Sequence, residues 1–139
     1  MYKRILVASD GSSTSLEAAR IAGEVAKTFS AALTVATVAY FPRAYAADVS
    51  PDMKEGYLEE WKRVLADTVE AAKASGAEPE AKLLRDQEPA KALLEEAGKG
   101  GYDLIVVGRT GAGSPGSGMM GGVSRKLAEG AGCSVLMVR

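Results

Sequence analysis

Gly108, Gly111, Gly121 and Gly122 bracket a hydroxyl-rich loop, with Arg109 and Thr110 after the first glycine and Val123 and Ser124 after the last. Glycines placed between a strand-like and a helix-like run suit phosphate recognition. Missing side chains let the backbone approach, and a helix N-terminus offers unpaired N–H groups at the positive end of its dipole. Thr110, Ser114, Ser117 and Ser124 add hydroxyls that could bond phosphate oxygens. Arg109 could add a charge-assisted bidentate contact, the competing reading being a solvated surface arginine. A second polar cluster, Ser9-Asp10-Gly11-Ser12, closes the apolar run over residues 4–8. Asp10 suits a ligand hydroxyl, a ring amine or a hydrated cation, and equally suits a turn cap.

Several chemistries are excluded. The 139 residues contain no histidine and one cysteine, Cys133, which argues against zinc hydrolase, serine–histidine and disulfide chemistry. The segment Gly111–Ser117 lacks the lysine of a P-loop, and Ser9–Ser12 is not a dinucleotide fingerprint. A receiver domain would need a paired-acid site and a late lysine, and neither is evident. The formal charge of -1 offers no broad attraction to nucleic acid or to an anionic membrane, so neither partner is indicated. The opening apolar run is too short for a secretory signal or a membrane helix, and a cytoplasmic chain is the expectation.

Strands and helices must position the two polar clusters. Apolar β-branched runs predict strands over 4–8, 33–40, 81–85, 103–108 and 133–138. Helical periodicity predicts helices over 14–29, 55–75, from Pro89 to the glycine cluster at 98–101, and over 122–130. Ser13 or Thr14 suits the first N-cap, and Trp61 reads as a packing anchor on a helical stripe rather than a ligand-stacking residue. The 41–54 connection suits a lid and a plain surface loop equally. Strand–helix alternation predicts one α/β domain over 1–139, a three-layer sandwich with a five-stranded mostly parallel sheet and helices on both faces. Ligands of such sheets sit beyond the C-terminal strand ends, where both polar clusters fall.

The combined pattern resembles the universal stress protein family, especially its nucleotide-binding branch. The resemblance runs from Ile5–Ser12 through Asp103–Gly108 to Cys133–Val138, and is sharpest in Gly108-x-x-Gly111, nine intervening residues, and Gly121-Gly122-Val123-Ser124. It implies that Ala8, Asp10 and Val38 line the nucleoside end, with Val38 presenting backbone groups and apolar surface to adenine. Val107, Gly108, Thr110 and Gly111 would lie near ribose and phosphates, with Arg109 beside them, and Gly121, Gly122, Val123 and Ser124 would surround the phosphate oxygens. ATP or another adenine nucleotide is the implied ligand, with Mg2+ or Mn2+ accompanying the phosphates. A homodimer formed near the final strands and a stress-response or regulatory role, with a protein partner, are implied as well.

One departure stands out. The family usually places serine or threonine where this chain has Gly122, which removes a hydroxyl but keeps the backbone N–H. No base or nucleophile-activating partner is identified, so nucleotide binding without efficient dedicated catalysis is the leading expectation, and weak ATPase activity the lesser one. The alternative is a nucleotide-independent homodimeric scaffold.

Overall fold

The computed structural model describes residues 1–40, 50–110 and 121–139. Gly111, Ser114, Ser117, Met119 and Met120, and most of the 41–54 connection, lie outside the described residues. The elements in chain order are β1 (Arg4–Ala8), α1 (Ser13–Phe29), β2 (Ala32–Ala39), α2 (Pro51–Lys73), β3 (Glu80–Arg85), α3 (Pro89–Gly100), β4 (Leu104–Gly108), α4 (Gly122–Gly130) and β5 (Ser134–Val138). The five strands form one sheet in the order β3-β2-β1-β4-β5, and every pairing is parallel. The chain therefore winds from β1 towards β3, then crosses back to β4 and β5. The β1–β4 border, with Val7 opposite Val106, is the switch point where such sheets open a crevice.

Alternation along the central strands divides the core in two. Ile5 and Val7 pack with Val35, Val106 and the alanine face of α1, while Leu6 and Ala8 pack with Ile105, Leu93 of α3 and Leu127 of α4. Both faces of the sheet are covered, which explains why β1, β2 and β4 read as nearly continuous apolar runs, broken in β2 by the buried Thr34 and Thr37. Small residues bring α1 against α2: a Cβ on Gly23 would stand 2.2 Å from the carbonyl oxygen of Ala72, so only glycine fits there.

Two helix starts differ from their sequence prediction. The N-cap of α1 is Ser12, extended at φ −67 and ψ 159, whose Oγ accepts the Ser15 N–H. Ser13 and Thr14 instead lie inside the first turn. Helix α2 begins at Pro51, four residues before the predicted start at 55, because Ser50 caps it through the Met53 N–H and proline tolerates the first helical position. At its other end α3 stops as the glycine cluster suggests, with Gly101 left-handed at φ 66.

Candidate functional site

A cavity of about 270 Å³ opens at the C-terminal ends of β1, β2 and β4. Ala8 and Asp10 line it from the end of β1, Val38 from β2, and Val107, Gly108 and Thr110 from the end of β4. Gly121, Gly122, Val123 and Ser124 close it from the start of α4. The two polar clusters, about a hundred positions apart in the chain, thus share one space at the switch point. Arg109 stands apart from the cavity lining.

The wall at the start of α1 is filled by the protein's own hydrogen bonds. Asp10 Oδ1 accepts the Ser12 N–H at 3.0 Å, which makes Asp10 a turn residue as well as a lining residue. Ser9 Oγ accepts the Gly11 N–H at 3.1 Å and lies 3.0 Å from Ser15 Oγ and 2.8 Å from Thr68 Oγ1. Ser15 also donates to the Ser12 carbonyl, and Thr68 donates to the Val64 carbonyl of α2. Three hydroxyl protons therefore serve four contacts, and the chain of oxygens ties β1, α1 and α2 together. Ser9, Ser15 and Thr68 are all buried, where an unpaired hydroxyl would be costly.

The wall at the start of α4 is built differently. Gly121 precedes the helix as an extended N-cap residue, and no side chain of the described residues caps the first turn. The Gly121 N–H donates to the Arg109 carbonyl at 2.8 Å, and the buried Ser124 hydroxyl reaches the same oxygen at 2.8 Å. Arg109 N–H in turn donates to the Val138 carbonyl at 2.7 Å. Residues 109 and 121 are thus clipped together. The Gly121 N–H is engaged in this clip, and Ser124 spends its proton on the backbone while both residues still line the cavity.

Glycine serves two purposes around this clip. A Cβ on Gly108 would lie 2.9 Å from Thr14 Oγ1 and 3.0 to 3.1 Å from the backbone of Thr14 and Ser15. Gly108 therefore lets β4 approach the start of α1, where the Thr14 hydroxyl donates to the Thr110 carbonyl. Gly122 differs, since a Cβ there would have no heavy atom of the described residues within 4 Å.

Asp10 is the only charged residue among the described lining residues. Among the described residues there is also no group of three or more Cys, Asp or Glu side chains that could hold a metal ion. A divalent ion here would need most of its oxygen ligands from phosphates and water, as magnesium at nucleotide sites commonly takes them.

Several lining residues escaped the sequence reading. Ala36 and Tyr40 flank Val38 on the cavity side, as strand alternation from Val38 would have indicated. Trp61 of α2 and Pro89 and Leu93 of α3 also line the cavity. Trp61 packs on Tyr40 with ring centroids 5.1 Å apart, so its anchoring role is joined by one at the cavity wall. A helical stripe alone carries no signal for that placement.

The fold and site define a parallel α/β domain with a glycine-bounded crevice at its switch point. The universal stress protein family matches the chain over residues 1–139. A universal stress protein of Thermus aquaticus is 36% identical over 140 residues, covering 100% of both chains. The solved structure of a universal stress protein in complex with cAMP is 32% identical, covers 99% of this chain and 97% of its own, and superposes with a TM-score of 0.75. UspA from Lactobacillus plantarum shares the fold at a TM-score of 0.83 and 24% identity, covering 99% of this chain and 98% of its own. The chain belongs to the universal stress protein family. No described helix is long and apolar enough to cross a membrane.

Proposed function

We propose that this protein reversibly binds an adenine nucleotide and uses the bound state to regulate a partner. The observation that carries this reading is that one cavity holds both the Asp10 turn and the first turn of α4, which no side chain of the described residues caps. The nucleoside lies towards Asp10 and Val38, and the phosphate lies at α4, where first-turn N–H groups and the helix dipole favour an anion. The cAMP complex of a 32% identical relative supports the ligand class.

Charge favours ligands with few phosphates. The described lining offers a carboxylate and no lysine or arginine, and the sequence from Gly111 to Met120 contains no basic residue. ATP remains a ligand of this site, with Mg2+ or Mn2+ carried by its phosphates, but AMP or a cyclic monophosphate suits the lining better. Hydrolysis is a secondary activity at most, because the site supplies no identified base for an attacking water. Calorimetry with ATP, ADP, AMP and cAMP, each with and without magnesium, tests the reading. Saturable heats with AMP or cAMP at least as tight as ATP are expected, and flat titrations of folded protein with all four would overturn it.

We also infer a homodimer through β5. Among the described residues this strand pairs only with β4, at the sheet border, and Leu136 on it is 37% exposed. A second copy along that edge would cover both the open backbone and the apolar side chain. Sedimentation should give twice the 14.4 kDa chain mass, and a monomer at micromolar concentration would reject the dimer.

A further inference from the structure

The cavity has an aromatic side that the nucleotide reading does not use. Ala36, Val38 and Tyr40 follow one another at two-residue spacing on the same side of β2 and its extension, and all three line the cavity. Trp61 reaches the same space from α2 and meets Tyr40 at a ring-centroid distance of 5.1 Å and an interplanar angle of 43°. The indole N–H donates to the Tyr40 carbonyl at 3.1 Å. That bond occupies the one polar atom of the indole and fixes the ring against the strand end. The indole surface left to a ligand is therefore apolar and π-rich, with no hydrogen-bonding preference of its own. Tyr40 is 38% exposed, so a large aromatic stands partly in water at the rim of the cavity. Leu93 and Pro89 of α3 supply further apolar surface to the same space.

We propose that Tyr40 and Trp61 form the base-binding wall of this cavity, a stacking surface that selects purine over pyrimidine nucleotides. The proposal rests on the nucleotide reading and adds to it the residues that discriminate between bases. Stacking on an aromatic ring grows with the area of the base, so a bicyclic purine gains more than a monocyclic pyrimidine from the same wall. Polar recognition falls to the Asp10 side and phosphate recognition to α4. Helix α2 thereby becomes part of the site, held to β1 by the Thr68–Ser9 contact seven residues beyond Trp61.

Trp61 is the only tryptophan of the chain, so its fluorescence reports on this wall directly. The experiment measures AMP and CMP binding to wild type, Trp61→Leu, Trp61→Phe and Tyr40→Ala by calorimetry, with AMP titrated against Trp61 emission in the wild type. AMP is expected to change that emission saturably and to bind more tightly than CMP. Trp61→Leu should weaken AMP about tenfold, narrow the AMP-to-CMP ratio, and be largely rescued by Trp61→Phe. Tyr40→Ala keeps the backbone carbonyl that anchors the indole and provides a second test if Trp61→Leu does not fold, with the same narrowing expected. Unchanged AMP affinity in the folded variants, or equal losses for AMP and CMP, would overturn the wall. A folded wild type that binds neither nucleotide would instead overturn the nucleotide reading on which the wall depends.

Discussion

The cavity lies between two helix N-termini that solve the same problem in opposite ways. At α1 the first turn is closed internally: Ser12 caps it, Asp10 fixes the preceding turn, and Ser9, Ser15 and Thr68 form a buried hydroxyl chain. At α4 a glycine occupies the N-cap, the next residue is also glycine, and no side chain of the described residues caps the turn. The orphan N–H groups of a helix start require a partner. The protein supplies one at α1, whereas no side chain of the described residues caps α4. Equal dipoles thus have unequal consequences, and an anion is favoured at the start where the described residues place no capping oxygen.

The largest expected effect breaks the junction between the two ends. Gly108→Val would drive a branched side chain into Thr14 and Ser15, whose atoms already lie 2.9 to 3.1 Å from the Cβ position. Overpacking against backbone should cost about 3 kcal/mol in urea denaturation. It should also abolish nucleotide binding, since Thr110 can no longer be held by Thr14. Stability within about 1 kcal/mol of wild type would show that β4 does not rely on this close approach.

Ser9→Ala attacks the closed end alone. It leaves the Gly11 N–H without its acceptor and removes the central oxygen between Ser15 and Thr68. Ser15 and Thr68 keep their carbonyl acceptors, so the cost is that of the hydrogen bonds lost, about 0.5–1.5 kcal/mol each, and a loss of about 2 kcal/mol is expected by chemical denaturation. Nucleotide affinity of the folded variant should change little, because Ser9 serves the scaffold. A large affinity loss without a stability loss would make Ser9 a ligand contact and remove the contrast between the ends.

The parts most legible in the sequence are those with the simplest physics. Strands β1, β2 and β4 are buried on both faces and appear as apolar runs, whereas the exposed edge strand β3 has a mixed pattern that obscured its first residue, Glu80. Ser50-Pro51 suits a turn as well as a cap followed by the first helical residue, which hid the start of α2. At the site, glycine spacing identified the loop boundaries but not what each glycine does. Gly108 admits a neighbouring helix, while Gly122 faces open space among the described residues. Arg109 drew attention through its charge, yet its observed bonds in the loop clip are made by its backbone. Trp61 could not be placed at all from a helical stripe, because only the packing of α2 beside β2 carries it to the cavity.

Gly122→Ser sharpens the contrast from the open end. A Cβ at Gly122 meets no heavy atom of the described residues within 4 Å, and Gly122 is the first residue of α4, so a hydroxyl there is placed to reach an anion at the helix start. A hydrogen bond to a charged group contributes about 1.5 kcal/mol, which corresponds to roughly tenfold tighter AMP binding by calorimetry. Unchanged affinity would move the phosphate away from the first turn of α4.

The smallest effect belongs to the opposite end of the sheet and serves as the control. Asp103, just before β4, accepts the Lys3 N–H at 2.9 Å and the Arg4 N–H at 3.1 Å. The Lys3 amide, aided by that of Arg4, holds its carboxyl below the ordinary value of 3.8. A carboxylate with a depressed folded pKa stabilises the fold above its unfolded value, and that contribution disappears as pH falls through the folded value. Asp103→Asn should therefore lower the thermal midpoint slightly at neutral pH, and the gap to wild type should close in acid. Because the clasp joins the N-terminal ends of β1 and β4, AMP affinity should stay at the wild-type level. A variant that lost affinity while remaining folded would show that the pocket senses the far end of the strands, and the two helix starts could no longer be treated as the local origin of the contrast.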